Sequence, residues 1–167
     1  GDIIQFTRDI TFSFSDIVEK KQTDLSFGTN IEHLEIYFDR DKMEKILFNL
    51  LSNAFKYTPG KGRVDVQLAY EEPVEGQNHG TLNIQVSDSG IGIPADQHER
   101  IFERFFQSEV PAEMVNQGTG IGLAITREFV KLHNGTVTVR SEPEKGTCFT
   151  VSLPARKIYQ QSPQAED

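Results

Sequence analysis

The sequence predicts an α/β fold, a two-layer sandwich in which helices cover one face of a mixed, largely antiparallel sheet. Three observations predict it. Apolar residues recur at helical spacing in separated blocks, and alternating apolar–polar runs come in adjacent pairs. The order of elements is helix, strands, helix, two strands, helix, helix, two strands, with no internal repeat. The chain has 167 residues, 37% of them hydrophobic and 25% charged, enough for one domain with a real core.

Residues 6–21, "FTRDITFSFSDIVEKK", place Phe6, Ile10, Phe14, Ile17 and Val18 at helical spacing, which predicts one helix. "DLSFG" and "LEIYFD" read as short strands, joined by a turn at Gly28-Thr29-Asn30. The strongest helical pattern covers residues 41–57 and stops at Pro59-Gly60. Asp41 and Glu44 fit a capping box at its start. "RVDVQLAY" and "GTLNIQVSD" alternate as strands on either side of the polar loop "EEPVEGQNHG". Pro94 suits a first helical position, so a helix is expected there. "QSEVPAEMVNQG" has few periodic apolar positions and reads as a mobile loop. A further helix is expected over residues 122–133, then a hairpin of "GTVTVRS" and "GTCFTVSLP" around "EPEKG". The polar stretch 155–167 reads as a disordered tail or linker.

Bulk properties exclude several function classes. The net charge of −8, with no basic stripe, argues against a nucleic-acid partner. It also means that any anionic ligand must be held by local features. No run is long enough to span a membrane, and no signal-like segment opens the chain. The opening "GDIIQFTRDI" has no initiator methionine, which suggests a fragment of something longer. The single cysteine, Cys148, cannot form an internal disulfide or a cysteine-cluster zinc site, and is expected as a small buried hydrophobe. Asn134-Gly135-Thr136 matches a glycosylation acceptor but reads better as a helix stop and turn. A reducing, cytoplasmic setting is the expectation.

In "DKMEKILFNLLSNAFKYTP", Met43, Ile46, Leu47, Leu50, Leu51 and Ala54 gather on one helical face. Asn49, Asn53 and Lys56 form a polar stripe on its border, an unusual place for groups whose burial costs free energy without partners. They either bond among themselves and to loops, or form a stripe for a hard cation and phosphates. An amide oxygen suits Mg²⁺, which takes few protein ligands, and Lys56 would serve as a point charge.

In "VSDSGIGIP", Asp88 ends a strand and Gly90 and Gly92 follow. A solvated turn aspartate is one reading. The other is a carboxylate accepting from a planar donor such as the exocyclic amine of adenine, with glycines letting the backbone pass close to the ring. In "QGTGIGLAI", Gly118, Gly120 and Gly122 lead into a helix, an arrangement suited to phosphate. A P-loop is excluded, because no glycine is followed by Lys and then Ser or Thr. A dinucleotide fingerprint is excluded too, since Gly118 follows a long polar loop.

"NLLSNAFKYTP", "DSGIGIP", "IFERFF" and "GTGIGLAI", followed by "KGTCFTVSLP", stand in an order that resembles the catalytic ATP-binding domain of sensor histidine kinases. That superfamily is shared with large ATP-dependent chaperones, type II topoisomerases and mismatch-repair ATPases. The resemblance covers residues 39–154 and implies a Bergerat-type α/β sandwich holding ATP under a lid. It implies that Asn53 ligates Mg²⁺ with Asn49 in support, and that Lys56 and Tyr57 lie along the nucleotide. Asp88 would accept from the adenine amine, with Gly90, Gly92 and Ile93 lining the base and Thr147 on the adenine side. Phe102, Phe105 and Phe106 would anchor the lid, residues 107–117. Gly118, Thr119, Gly120, Ile121, Gly122 and Leu123 would hold the phosphates. Many members carry arginine where this chain has Gln107, leaving Arg104 and Lys56 as candidate phosphate cations, though Arg104 also fits a surface role.

The implied boundaries are a dimerisation-helix or linker remnant over 1–22, the ATP-binding unit over 23–154, and a linker or tail over 155–167. None of His33, His79, His98 and His133 carries the sequence expected after a phosphorylated histidine, so each is expected on the surface. The implied partners are ATP, the dimerisation and phosphoacceptor domain of the same protein, and a response regulator or receiver domain. The implied setting is the cytoplasmic part of a membrane-bound sensor. Two relatives compete: a serine kinase of the anti-sigma-factor type, and an ATP-hydrolysing enzyme. The second usually carries a water-activating glutamate where this chain has Asn49, an amide that takes no proton at neutral pH.

Overall fold

A computed structural model describes residues 1–103 and 122–158. Among them, a five-stranded sheet carries helices on one face, in the strand order β1-β2-β3-β5-β4. The elements are α1 (Ile3–Phe12), α2 (Ser15–Lys21), β1 (Asp24–Thr29), α3 (Arg40–Tyr57), β2 (Arg63–Glu71), β3 (Gly80–Asp88), α4 (Gly122–Leu132), β4 (Thr136–Ser141) and β5 (Thr147–Ala155). The β1–β2 pair is parallel and the others are antiparallel. This is the expected mixed, largely antiparallel two-layer sandwich.

The period of two along each strand sorts the sheet's faces. Val64, Val66 and Leu68 of β2, Leu82, Ile84 and Val86 of β3, and Phe149, Val151 and Leu153 of β5 are buried. Their core partners on α3 are Met43, Ile46, Leu47, Leu50, Leu51, Ala54 and Phe55. The alternate strand positions are mostly polar and lie on the uncovered face. Cys148 is one of them. It is half-buried, with Sγ 4.0 Å from the Thr150 hydroxyl, because Thr147 and Phe149 take the inward positions. The expected buried role for Cys148 is therefore corrected.

Several boundaries also differ from expectation, each for a local reason. The single opening helix is two, α1 and α2, broken where the Ser13 hydroxyl donates to the Ile10 carbonyl and competes with helix continuation. Within residues 1–22, Ile3, Ile4 and Phe14 are buried in the common core. Phe14 stacks on Phe55, with ring centroids 5.4 Å apart. Gly28 and Thr29 belong to β1 rather than to a turn. "LEIYFD" is no strand. It makes one isolated bridge, Asp2 to Glu35, while Leu34 and Ile36 plug the core.

Asp39, not Asp41, caps α3: its backbone is extended and its carboxylate accepts from the Lys42 amide at 3.0 Å. No capping box forms. Asp39→Ala is expected to cost about 1 kcal/mol, a fall of about 3 °C in the thermal unfolding midpoint. The helix expected at Pro94 is instead two short 3-10 turns, Ala95–Gln97 and Arg100–Phe102. At the C-terminus, β5 runs through Ala155, and the Ile158 amide donates to the Glu35 carbonyl at 2.8 Å. The first residues of the expected tail are thus tied to the body. The expected mobile loop, 107–117, lies outside the described residues.

Candidate functional site

α3 places its polar stripe where the apolar pattern put it, along the border of the core. Asn49, Asn53 and Lys56 are all half-buried, while Leu50 and Ala54 beside them are buried. The Asn49 amide nitrogen donates to the Gly122 carbonyl (3.2 Å) and the Thr126 hydroxyl (3.4 Å). That hydroxyl in turn donates to the Gly122 carbonyl at 2.8 Å. These bonds tie α3 to the first turn of α4 and leave the Asn49 oxygen uncommitted among the described residues. One turn on, the Asn53 amide makes no hydrogen bond among them. Lys56 lies with its ammonium 5.0 Å from the Tyr57 ring centre. Burial lowers the Lys56 pKa and raises that of the Tyr57 hydroxyl.

Asp88 ends β3 on the helix-covered side and is 9% exposed. Its carboxyl accepts from the Gly90 amide at 2.8 Å. Burial pushes its pKa from 3.8 to about 6, although hydrogen bonds from the Gly90 and Thr147 backbone pull the other way. Thr147 stands directly opposite on β5. The loop after Asp88 is clamped on both sides. The Tyr57 carbonyl accepts from the Ile91 amide at 3.2 Å, and a Cβ on Gly90 would lie 2.2 Å from that same oxygen. On the other side, the Ile93 amide donates to the Ser141 hydroxyl at 2.7 Å. Ile93 itself is 8% exposed.

Sequence reasoning missed Ser141 and Gly146. The Ser141 hydroxyl donates to the Gly146 carbonyl (2.8 Å), so the Thr147 hydroxyl donates to Ser141 across the 2.8 Å between them. Gly146 has φ +87°, and a Cβ there would meet the Asp88 carbonyl oxygen at 2.0 Å. Only the "KGT" preceding β5 could have hinted at this close approach.

Phe102 is buried, edge-on to Phe149 at 6.2 Å between ring centres, with the Arg127 guanidinium 5.2 Å from its own centre. Leu123 packs half-buried against the core. Arg104, Phe105, Phe106, Gly118, Thr119, Gly120 and Ile121 lie outside the described residues. The structure therefore brings together Asn49 with Gly122, and Asp88 with Gly90 and Thr147. The backbone of Tyr57 touches the Asp88 loop.

Two grooves, of about 790 and 330 Å³, approach Asp88 from the uncovered face. They are lined by Ser87, Arg63, Arg140 and Lys145, and neither contains Asn49 or Asn53. The alternation of β3 aims the Asp88 side chain away from Ser87, towards the helices, so these grooves are not the chemical site. Among the described residues no three His, Cys, Asp or Glu side chains cluster to hold a metal. A divalent ion here would take amide oxygens and keep most of its waters, which suits Mg²⁺.

Comparison with known proteins gives concordant matches. Residues 38–157 match the family of "Histidine kinase-, DNA gyrase B-, and HSP90-like ATPase". The sensor histidine kinase TmoS of Ectopseudomonas mendocina is 42% identical over 154 residues. Those residues make up 92% of this chain and 15% of that protein, so the chain spans a small part of the relative's length. The catalytic domain of histidine kinase ThkA superposes with a TM-score of 0.74 at 25% identity, covering 91% of this chain and 93% of that one. Full-length ShkA, solved in complex with AMPPNP, gives 0.79 at 26% identity, covering 96% of this chain and 31% of that one.

Proposed function

The chain belongs to the histidine kinase-, DNA gyrase B- and HSP90-like ATPases, as a catalytic domain of the sensor histidine kinase kind, and on that premise we propose that it binds Mg²⁺·ATP and donates the γ-phosphoryl group to a histidine on a dimerisation domain. The observation that carries the pocket assignment is Asp88. It is a carboxyl held on the helix side of the sheet, beside Gly90, whose missing side chain lets the loop after Asp88 lie against the Tyr57 carbonyl. Ionised, it accepts from the adenine amine, and guanine offers an oxygen at that position instead. Gly92, Ile93 and Thr147 line the base.

The Asn53 oxygen, uncommitted among the described residues, would hold Mg²⁺ with Asn49 in support, and the ion when bound neutralises phosphate charge and aligns the terminal phosphoryl group. Lys56 adds a positive charge one turn along, and the Tyr57 ring limits its excursions. Gly122 and Leu123 open α4 and would offer their amides to the phosphates; Gly118, Thr119, Gly120 and Ile121, outside the described residues, are assigned to the phosphates from the sequence motif alone. Phe102 anchors the segment that carries Arg104, Phe105 and Phe106. Phosphoryl transfer is mostly positioning and charge stabilisation, so a chain without a general base can serve as the donor half. Asn49 cannot activate water, which disfavours an ATP-hydrolysing role.

The partners in this reading are the dimerisation and phosphoacceptor domain, which supplies the nucleophile, and a response regulator or receiver domain downstream. The boundaries proposed for the ATP-binding unit are residues 23–154. No helix among the described residues is long and apolar enough to cross a membrane. In this proposal, membrane attachment lies elsewhere in a sensor whose cytoplasmic part contains the chain.

The test combines the chain with that dimerisation domain and γ-labelled ATP. Acid-labile label on the histidine-bearing partner is expected, and Asn53→Ala should lower it by about 100-fold. Acid-stable label would replace this reading with a serine kinase. Rapid phosphate release without an acceptor would replace it with a hydrolase.

A further inference from the structure

Lys21, the last residue of α2, makes a contact that its sequence neighbours do not explain. Its ammonium donates to the Phe55 carbonyl in the last turn of α3 and, at 2.6 Å, to the carbonyl of Thr58, the residue that caps that helix. Helices end with unsatisfied carbonyls. Pro59 bars α3 from continuing, and Thr58 is fully buried, so solvent does not satisfy its backbone. A cation there forms charge-assisted hydrogen bonds and meets the negative end of the helix dipole.

The main chain of Lys21 engages the same connection. Its carbonyl accepts from the Lys61 amide at 2.9 Å, and Asp24, three residues on, donates its amide to the Gly62 carbonyl at 2.9 Å. Burial lowers the Lys21 pKa, yet it faces two carbonyl oxygens, and among the described residues no carboxylate is paired with it. Lys21 therefore grips the turn between α3 and β2 by both side chain and backbone.

That turn borders the nucleotide site. Between the two carbonyls that Lys21 holds lie Lys56 and Tyr57, and the Tyr57 carbonyl anchors the Ile91 amide in the loop after Asp88. We propose that Lys21 is a positioning residue for nucleotide binding, fixing the last turn of α3 and through it the Asp88–Gly92 loop. The role rests on the nucleotide reading given above. It also makes α2, which ends at the first strand, a mechanical part of the site.

The experiment measures Mg²⁺·ATP affinity by calorimetry, well below the unfolding midpoint of every variant, for the parent, Lys21→Met and Lys21→Arg. Lys21→Met keeps the apolar stem and removes the donors. It is expected to weaken binding about tenfold and to speed hydrogen exchange at the Ile91 amide. Lys21→Arg restores the donors and is expected within about twofold of the parent. A purely structural lysine would lower the melting point of Lys21→Met and leave affinity and Ile91 exchange unchanged, and that result overturns the proposal. No binding by the parent would instead overturn the nucleotide reading itself.

Discussion

Asp88→Asn is expected to make the empty chain more stable while weakening Mg²⁺·ATP binding about 100-fold. Both effects come from one buried carboxyl. In the folded chain its pKa is about 6 against 3.8 for an unhindered aspartate. Below pH 4 both folded and unfolded states are protonated and burial carries no ionisation penalty. Between pH 4 and 6 the unfolded state ionises first, and above pH 6 the full penalty applies, at most about 3 kcal/mol. The amide escapes this penalty but accepts more weakly from Gly90 and Thr147. The net gain near pH 7 is about 1–2 kcal/mol, or about 4 °C in melting temperature. Binding moves the opposite way. An asparagine has one oxygen and one NH₂ group. If the oxygen stays with the Gly90 amide, the NH₂ meets the adenine amine, donor against donor. Parent affinity should also fall as pH drops through 6, whereas the variant should be insensitive there. Melts and titrations from pH 4 to 8 check this. A variant that binds ATP like the parent removes Asp88 from the adenine site.

The legible parts of the fold were those with strict periodicity. β2, β3 and β5 alternate without interruption, and α3 carries its apolar face over 18 residues, so class and layering followed. What failed were short segments whose state depends on distant partners. "LEIYFD" alternates like a strand, yet Leu34 and Ile36 are buried beside α1 instead, because Asp2 holds the Leu34 amide at 3.1 Å. Asp41 and Glu44 fit a capping box in sequence, yet α3 starts two residues earlier, because the extended backbone is at Asp39 and its carboxylate reaches the Lys42 amide. The site was partly legible for a similar reason. Glycines and an aspartate at a strand end announce themselves. Ser141 and Gly146 come from the β4–β5 hairpin and Lys21 from α2, far from it and from the Asp88 loop in sequence, and each residue alone has an ordinary structural explanation. A carboxyl's pKa is equally invisible in sequence, since it depends on burial by residues brought together only on folding.

The largest destabilisation is expected from Gly92→Ala. Gly92 has φ +76°, in the left-handed region that costs an L-residue about 1–2 kcal/mol. A Cβ there would lie 1.9 Å from the Glu142 carbonyl oxygen and 3.0 Å from the Pro143 Cα, both backbone atoms with no rotamer to change. Sliding the loop away is opposed from both sides. The Ile91 carbonyl accepts from the Glu144 amide, and the Ile93 amide is held by Ser141. Relief of the clash must therefore break one of those bonds or open the β4–β5 turn, adding about 1–3 kcal/mol. The sum, about 2–5 kcal/mol, lowers the melting temperature by about 10 °C. Nucleotide affinity should fall at least tenfold, because Gly90 and Asp88 move with the loop. Gly76 provides the control. Its φ is +87°, but nothing lies within 4 Å of its Cβ position, so Gly76→Ala bears backbone strain alone. It should cost about 1–2 kcal/mol and leave binding unchanged. If the two variants melt together and bind alike, crowding against Glu142 does not hold the Asp88 loop in place.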